Sequence, residues 1–589
     1  MAHIKISRDW FILFLLAWVL FIHIFVDPEG GIDGITLLFA GVALYVWVVS
    51  HSSVPRMTWY ILVAFLAWAL VETLFFSRVP YTSFQNFLSL LAGALVFSVG
   101  FPEHLVRRAA VILVVGALLL VMVGLVMFLF IPQYQSARFT SIFYQHNAFA
   151  GFLIVPLMLS FWLVLEKKQY GYLLAGISTF ILWGGLALTF SRGGYLSVAA
   201  AIAVFIFFLR KNSVSFARFG KQSVVILLLV ALGAGAGFGL FEFLQAHARA
   251  QGISAPASPY ALEQSGQTGF HARLVYMKYG LKLFKERPLV GYGLGSYGTE
   301  SARVLDEVIY FSMDPHNLYL RFLAELGILG GTLFIIFVFL VLWTAFSAKL
   351  DLLHGALLAG FVGMLIHNGV DLDFFFPANV MLFFTVACLL VRHDTDTIKV
   401  SRVLKMSAIL AAAAIFPLFV SDKLFDRAWI YALAQGNVEP YETHIRWSLA
   451  LDPFNPFIRI QLSGYYLERN ELDRAEQLLD EVRRIHPNNR SQYLQRGLLL
   501  VRRGGDGEAE EAYKRALELA PYRDVEPVIA LVDLYQKQGR SEEVRNLIKD
   551  TFKRFPPEAF KSSIWINPEK QDLLNQLIFL ERILNELPQ

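Results

Sequence analysis

Three arginines and one histidine have side chains suited to a single reaction: Arg138, Arg192, Arg273 and His316. A guanidinium is a planar fork of donors that fits phosphate oxygens. Several such forks around a pyrophosphate would let it leave without a metal ion. An imidazole titrates near neutrality, so His316 suits a general base that takes a proton from an attacking hydroxyl. Other polar residues interrupt apolar sequence nearby. They are His146 and Asn147, the run Ser191-Arg192-Gly193-Gly194-Tyr195, the run Asp314-Pro315-His316-Asn317, and His367-Asn368-Gly369-Val370-Asp371-Leu372-Asp373. Polar groups at membrane depth are costly and usually line a functional cavity. Taken singly, each arginine equally suits an interfacial anchor, and His316 suits a loop hydrogen bond. Their gathering on one face favours a site.

Other motifs carry less. Gly291-Tyr292-Gly293-Leu294-Gly295 lacks the flanking strand and helix of a dinucleotide loop and reads as a turn. Asp371-Leu372-Asp373 resembles a metal-binding DxD, but two carboxylates alone make a weak metal site. Arg321 and Glu325 stand four apart, the spacing of a helical ion pair. Glu72 lies within an apolar run and is either structural or cavity-lining.

The elements that position these residues follow from composition. Of 589 residues 56% are hydrophobic and 17% charged, with a mean hydropathy of +0.52. That excludes a wholly soluble enzyme and a disordered chain. A net charge of +4 gives no reason to expect nucleic acid. The single cysteine, Cys388, excludes an internal disulfide framework, a CxxC zinc site and a thioredoxin motif. Up to about Val420 the sequence predicts thirteen membrane spans: 10–26, 35–50, 58–76, 83–100, 109–131, 147–165, 171–190, 194–209, 223–241, 328–346, 353–369, 377–391 and 405–421. The first follows Lys5 and Arg8 and has no small-residue cleavage site, so it reads as an uncleaved helix.

Loop charge sets the expected orientation. With the N-terminus in the cytoplasm, inward segments hold Lys5, Arg8, Arg56, Arg107, Arg108, Lys167, Lys168, Arg210, Lys211, Arg218, Lys221, Lys349, Arg392, Lys399, Arg402 and Lys405. The short outward loops hold Arg78, Arg138 and Arg192. Sixteen against three places the N-terminus inside and, after thirteen spans, the C-terminal region outside. All the candidate residues then face outward. The longest outward loop, 242–317, has a Ser-, Pro- and Gly-rich middle. A helical stretch follows, with Arg273, Lys278, Lys282, Lys285 and Arg287 forming a basic face. That face is either simply solvated or in contact with lipid head groups or phosphates.

The tail repeats. Prolines recur at 453, 487 and 521, a period of 34, with Pro556 one residue late; Ala475 and Ala509 keep the same interval. This resembles tetratricopeptide repeats, two helices per unit, stacked into a curved array. The expected fold class is therefore all-α: a polytopic membrane bundle of about 12–13 spans over 1–424, then a soluble helical-repeat domain over 425–589. The repeats suit a protein partner, a spacer or a dimerisation module.

Four segments in order resemble the bacterial O-antigen ligase and polymerase superfamily over roughly residues 30–395. They are 138–151 (Arg138-Phe139-Thr140 to Gln145-His146-Asn147-Ala148), Thr189-Phe190-Ser191-Arg192-Gly193-Gly194-Tyr195, Arg273 with Arg287-Pro288-Leu289-Val290-Gly291, and His316-Asn317-Leu318 through Glu325-Leu326-Gly327. The resemblance implies a metal-independent, inverting membrane glycosyltransferase of the C type with no cofactor. Its donor would be a glycan on undecaprenyl pyrophosphate. Its acceptor would be lipid A-core, a growing glycan or a protein hydroxyl. By motif, Arg192 and Arg273 would hold the pyrophosphate and His316 would activate or orient the acceptor. Arg138 would assist, with Asn147, Asn317 and Glu325 as further substrate contacts. The repeat tail departs from the simplest ligases, which end after twelve spans, and weakens the lipid A-core assignment. Ligase-type transfer ranks first, then protein O-glycosylation and polymerisation. A lipid-linked glycan transporter is the alternative class, although the inverted repeats it would need are not visible. A membrane-anchored scaffold would leave the outward arginines and His316 unexplained.

Overall fold

The computed structural model describes residues 8–21, 32–48, 53–99, 101–131, 139–143, 145–166, 172–211, 220–250, 270–306, 312–347, 351–391, 397–399, 402–435, 438–523, 525–557 and 568–587. Arg138 and the middle of the long loop, 252–268, lie outside them.

Each of the thirteen apolar runs is helical among these residues, and the chain is a multi-pass membrane protein. The helices are α1 (Arg8–Phe21), α2 (Ile32–Val48), α3 (Arg56–Phe75), α4 (Pro80–Val99), α5 (Val106–Phe130), α6 (His146–Leu165), α7 (Tyr172–Thr189), α8 (Arg192–Lys211) and α9 (Gly220–Ala250). Two loop helices follow, α10 (Phe270–Glu286) and α11 (Tyr297–Val304). Then come α12 (Leu318–Ser347), α13 (Leu352–His367), α14 (Pro377–Leu390) and α15 (Arg402–Gln435). Seven helices among the described residues are long and apolar enough to cross a membrane, and four shorter ones are apolar. Among the described residues, one short antiparallel pairing, Ser53–Pro55 with Thr397–Lys399, is the exception to an all-α fold.

Burial sorts the bundle. α6 is enclosed along its whole length, whereas α9 and α15 leave most of their apolar surface facing outward, as lipid-facing helices do. In lipid, helices associate through close packing of small residues. α9 shows this: a Cβ on Gly233 would stand 2.3 Å from Phe180 O, and one on Gly237 2.6 Å from Gly184 O, both on α7.

A kink in α12 shapes the loops around it. Gly327 has φ 69° and ψ −174°, and a Cβ there would stand 2.2 Å from Leu289 O. The turn-rich run after α10 docks along this break. Tyr292 N donates to Ala324 O, Gly293 N to Glu325 O, and Ile328 N to Pro288 O. The glycine-rich run is thus a turn fitted to a helix kink.

The tail continues as α16 (Val438–Leu451), α17 (Pro456–Glu468), α18 (Leu472–Ile485), α19 (Arg490–Arg502), α20 (Asp506–Leu519), α21 (Glu526–Lys537), α22 (Ser541–Arg554) and α23 (Pro568–Glu586). α17 and α19 start 34 residues apart (490 − 456), as do α18 and α20 (506 − 472). Left-handed residues recur at the turns, Asn470, Gly504 and Gly539, where a helix pair must reverse. The expected boundary at 424/425 falls inside α15, which runs unbroken from the bundle into the tail. Ser421 and Ser448 hydroxyls bind α15 to α16. Among the described residues, the tail meets the start of α4 and the two loop helices. Tyr81 of α4 donates to Asp452, whose neighbour Asn455 reaches back to Tyr81 at 2.9 Å. Tyr522 packs on the apolar cluster of α10 and α11, which includes Val275, Tyr279 and Tyr297.

Candidate active site

The loop from His367 to Asp373, between α13 and α14, is where the candidate segments meet. Arg273 of α10 donates through Nη2 to Asp371 Oδ2 at 2.7 Å. His316 Nδ1 lies 3.4 Å from Asp371 Oδ1, within ion-pairing range but not aligned as a hydrogen bond. Leu372 N donates to the same oxygen at 3.0 Å. One turn along α10, Tyr276 stacks on the His316 ring with centroids 5.2 Å apart. Asp371 is fully buried, while Arg273 and His316 keep 19% and 14% of their side chains exposed, so part of each side chain can meet a ligand at the loop surface.

The backbone explains how His316 is presented. Asp314 Oδ1 accepts from His316 N at 2.7 Å, and His316 takes φ +54°. A non-glycine residue in that region costs about 1–3 kcal/mol and persists only where neighbours enforce it. They do here. Arg321 Nη1 lies 3.2 Å from Asp314 Oδ2, and its Nη2 donates to Asn86 at 2.9 Å. Asn317 caps α12 through Leu320 N and donates to Gly369 O at 2.9 Å, while Leu318 N donates to Asn368 O. The start of α12 is thereby stitched to the 367–373 loop.

The N-terminus of α8, where Arg192 stands, reaches the loop through Gly193. Arg192 is the exposed first residue of α8, whose N-terminus is capped by Ser191 Oγ accepting from Gly194 N at 3.1 Å. A Cβ on Gly193 would stand 3.3 Å from His367 Nε2 and 3.4 Å from Val370, so α8 abuts the residue before Asp371. His367 Nδ1 and Asp373 Oδ2 are 2.7 Å apart and fully buried. A Cβ on Gly151 would press within 2.4 Å of the Asp373 carboxylate, which brings in α6 one turn from His146 and Asn147. Asn147 itself is buried, and its N–H donates to Gln145 Oε1 at 3.2 Å.

Electrostatics follow the same wiring. Burial alone would raise Asp371. The contact with His316 and the Arg273 charge outweigh it and hold the carboxyl below its ordinary range. Asp314 is pushed up by burial, against the opposing charges of Arg321 and His316.

Arg273 and His316 therefore meet through Asp371, Asn317 holds the same loop at Gly369, and the helices that carry Arg192 and Asn147 reach that loop through Gly193 and Gly151. Glu325 sits elsewhere. It is buried, accepts from Arg321 Nε at 3.1 Å and from Tyr297 N at 3.2 Å, and so fastens the glycine turn. Sequence reasoning missed Asp371 as the shared partner of Arg273 and His316. Its pairing with a residue 98 positions away leaves no local pattern. Asp371 and Asp373 also point to different partners, and the described residues contain no group of three or more His, Cys, Asp or Glu placed to hold a metal ion.

Residues 177–335 match the family model for the O-antigen ligase domain (Wzy_C). The match runs from α7 into α12. It includes Arg192, Arg273, His316, Asn317 and Glu325, and shows over this stretch the resemblance carried by the sequence. It supports a ligase- or polymerase-like membrane glycosyltransferase. No curated protein matches the chain. Among solved structures, the yeast Tom70 crystal structure aligns at 17% identity over 69% of this chain and 92% of that one, with a TM-score of 0.22, too low to bear on the fold.

Proposed function

We propose that the chain transfers a glycan from undecaprenyl pyrophosphate to an acceptor hydroxyl at the outer face of the bacterial inner membrane. The transfer is a single inverting displacement that needs no metal ion. The acceptor oxygen bonds to the anomeric carbon as that carbon's bond to the pyrophosphate oxygen breaks. The acceptor proton passes to His316, and undecaprenyl pyrophosphate leaves. His316 Nδ1 faces Asp371, so Nε2 is the nitrogen free to accept that proton. Arg273 and Arg192 neutralise charge developing on the leaving pyrophosphate, with Arg138 assisting, and Asn147 and Asn317 border the substrate. Glu325 acts through Arg321.

The contact of Asp371 with both Arg273 and His316 carries this reading. It couples an anion-binding group to a base at one largely buried point that opens to the loop surface, as suits a displacement with a charged leaving group. The excess of Lys and Arg in the inward loops supports a cytoplasmic N-terminus. The docking of the tail on α10, α11 and α4 supports repeats on the same face as the site. Ligase-type transfer to lipid A-core leads. A protein acceptor is favoured by the repeats lying against the helices that carry Arg273 and Tyr276.

The test is transfer by purified protein in detergent from a lipid-pyrophosphate glycan, with chelator present. Wild type and His316→Ala would be offered lipid A-core and protein acceptors side by side. Glycan on lipid A-core, lost in the variant, makes a ligase. Glycan on protein makes an O-oligosaccharyltransferase, and longer chains on the donor lipid make a polymerase. No transfer to any acceptor refutes the reading in favour of a transporter.

A further inference from the structure

A cavity of about 530 Å³ lies where the bundle meets the tail, between the start of α4, the outer half of α15 and the first repeats. That volume is within the range of ligand sites. Its wall has the period of the repeats. Asp452 and His486, Asn455 and Asn489, and Phe457 and Ser491 all line it, and each pair is 34 residues apart. Equivalent positions of consecutive units thus form one continuous groove, the shape an extended polymer fills.

Charge selects the polymer. Asp422 and Asp426 line the groove with partly exposed carboxylates, and among the described residues no Lys or Arg lines it; Asp452 also lines it but is buried, bonded by Tyr81 and Asn455, and pushed up by burial. Lys423, just outside the wall, lies 3.1 Å from Asp426 and 4.0 Å from Asp422 and offsets part of this charge. Burial lowers His486 to about 4, so it adds no compensating charge at neutral pH. Phosphorylated or acidic ligands would be repelled. Phe457, more than half exposed and packed on Phe425 with centroids 5.5 Å apart, adds an aromatic ring to the wall, a group that attracts cations.

We infer that this groove binds an extended, lysine- or arginine-bearing polypeptide segment. It deepens the protein-acceptor branch of the proposed function and rests on that reading for its biological use, but not for its binding test. The groove is one helical turn from the site's supports. Tyr81 and Thr82 line it, while Ser83 donates to Leu294 O and Asn86 accepts from Arg321. A segment held here would lie on the same face as His316.

The test uses the full purified chain and a fluorescein-labelled peptide of alternating Lys and Ser, read by anisotropy. A Gln-for-Lys peptide and a chitosan hexamer serve as comparisons. Asp422 and Asp426 side chains are 39% and 55% exposed, so an Asp422→Asn, Asp426→Asn chain should fold normally. The Lys peptide should bind wild type, bind the double variant about tenfold more weakly, and weaken in about 0.5 M salt. Phe457→Ser should also weaken it. Equal binding of the Gln peptide, unchanged affinity in both variants, or binding of the hexamer without the peptide overturns the inference. Peptide binding that responds as expected, with no glycan transferred to any acceptor, overturns the transferase reading alone.

Discussion

Replacing Asp371 with Asn tests the proposed site most directly, because it keeps the shape and removes the charge shared by Arg273 and His316. A hydrogen bond to a charged partner contributes about 1.5–3 kcal/mol, and more when one buried partner is left behind. Arg273 keeps 19% of its side chain exposed and can rehydrate, so the middle of that range, about 2 kcal/mol, is the better figure. Loss of the charge facing His316 Nδ1 at 3.4 Å adds about 1 kcal/mol, since that contact is electrostatic rather than an aligned hydrogen bond. Together they predict that kcat/KM falls by about a hundredfold. The assay is the initial rate of glycan transfer from the lipid-linked donor, with thermal melting as a fold check. Asp306→Asn is the control, because Asp306 pairs with Lys278 at the exposed surface. The Asp371 carboxyl is held low in the folded chain. Its stabilising contribution is therefore complete above about pH 4 and is lost only as pH falls through the lower folded value. A rate within about threefold of wild type, with unchanged melting, would refute the coupling of anion binding to base.

Other expectations follow from single contacts. Arg192→Ala and Arg273→Ala should each slow turnover by roughly 10²–10³-fold, the scale of losing one electrostatic donor at a leaving group. Wild-type rates in both would remove them from the site. Gly327→Ala places a Cβ 2.2 Å from Leu289 O at a positive φ, so it should destabilise by about 3 kcal/mol or more and fail to give folded protein. Normal yield and melting would count against the docking of the glycine turn. In the repeats, the Arg540 hydrogen bond first, then Lys514 and Tyr535, lower Glu510 from 4.5 to about 2. A lowered carboxyl stabilises above its unfolded value. Wild-type stability should therefore fall between about pH 4.5 and 2, and Glu510→Gln should flatten that slope in thermal melts.

The helices were legible in the sequence because each apolar run is long and bounded by polar residues, a local property. The repeats were legible because Pro453, Pro487 and Pro521 mark a fixed period. Arg192, Arg273 and His316 stood out through residue type against an apolar background. Asp371 did not, since an Asp in a loop is unremarkable until a partner from α10 reaches it. The Gly291–Gly295 run was legible as a turn, but its reason, the break at Gly327, lies on another helix. Glu325 shows the opposite case. Its spacing from Arg321 already suggested an ion pair, and the structure places that pair beneath the site as support for Asp314.

The side of the membrane on which the tail stands can be tested through one cysteine. Tyr81 at the start of α4 binds Asp452 and Asn455 of the tail, and Ser83 and Asn86 on the next turn bind Leu294 and Arg321 beneath His316. The tail and the candidate site therefore share a face, whichever face that is. The excess of Lys and Arg in the opposite loops supports the outer one. Phe454 is 69% exposed and lies on the tail beside Asn455. Cys388, the single native cysteine, is buried, so background labelling should be low. Phe454→Cys should react with a membrane-impermeant maleimide in intact spheroplasts, and Met57→Cys, at the start of α3 and also exposed, only after permeabilisation. The reverse pattern would put His316, Arg273 and the repeats in the cytoplasm. The proposed reaction takes its donor at the outer face, so it would fail with the topology.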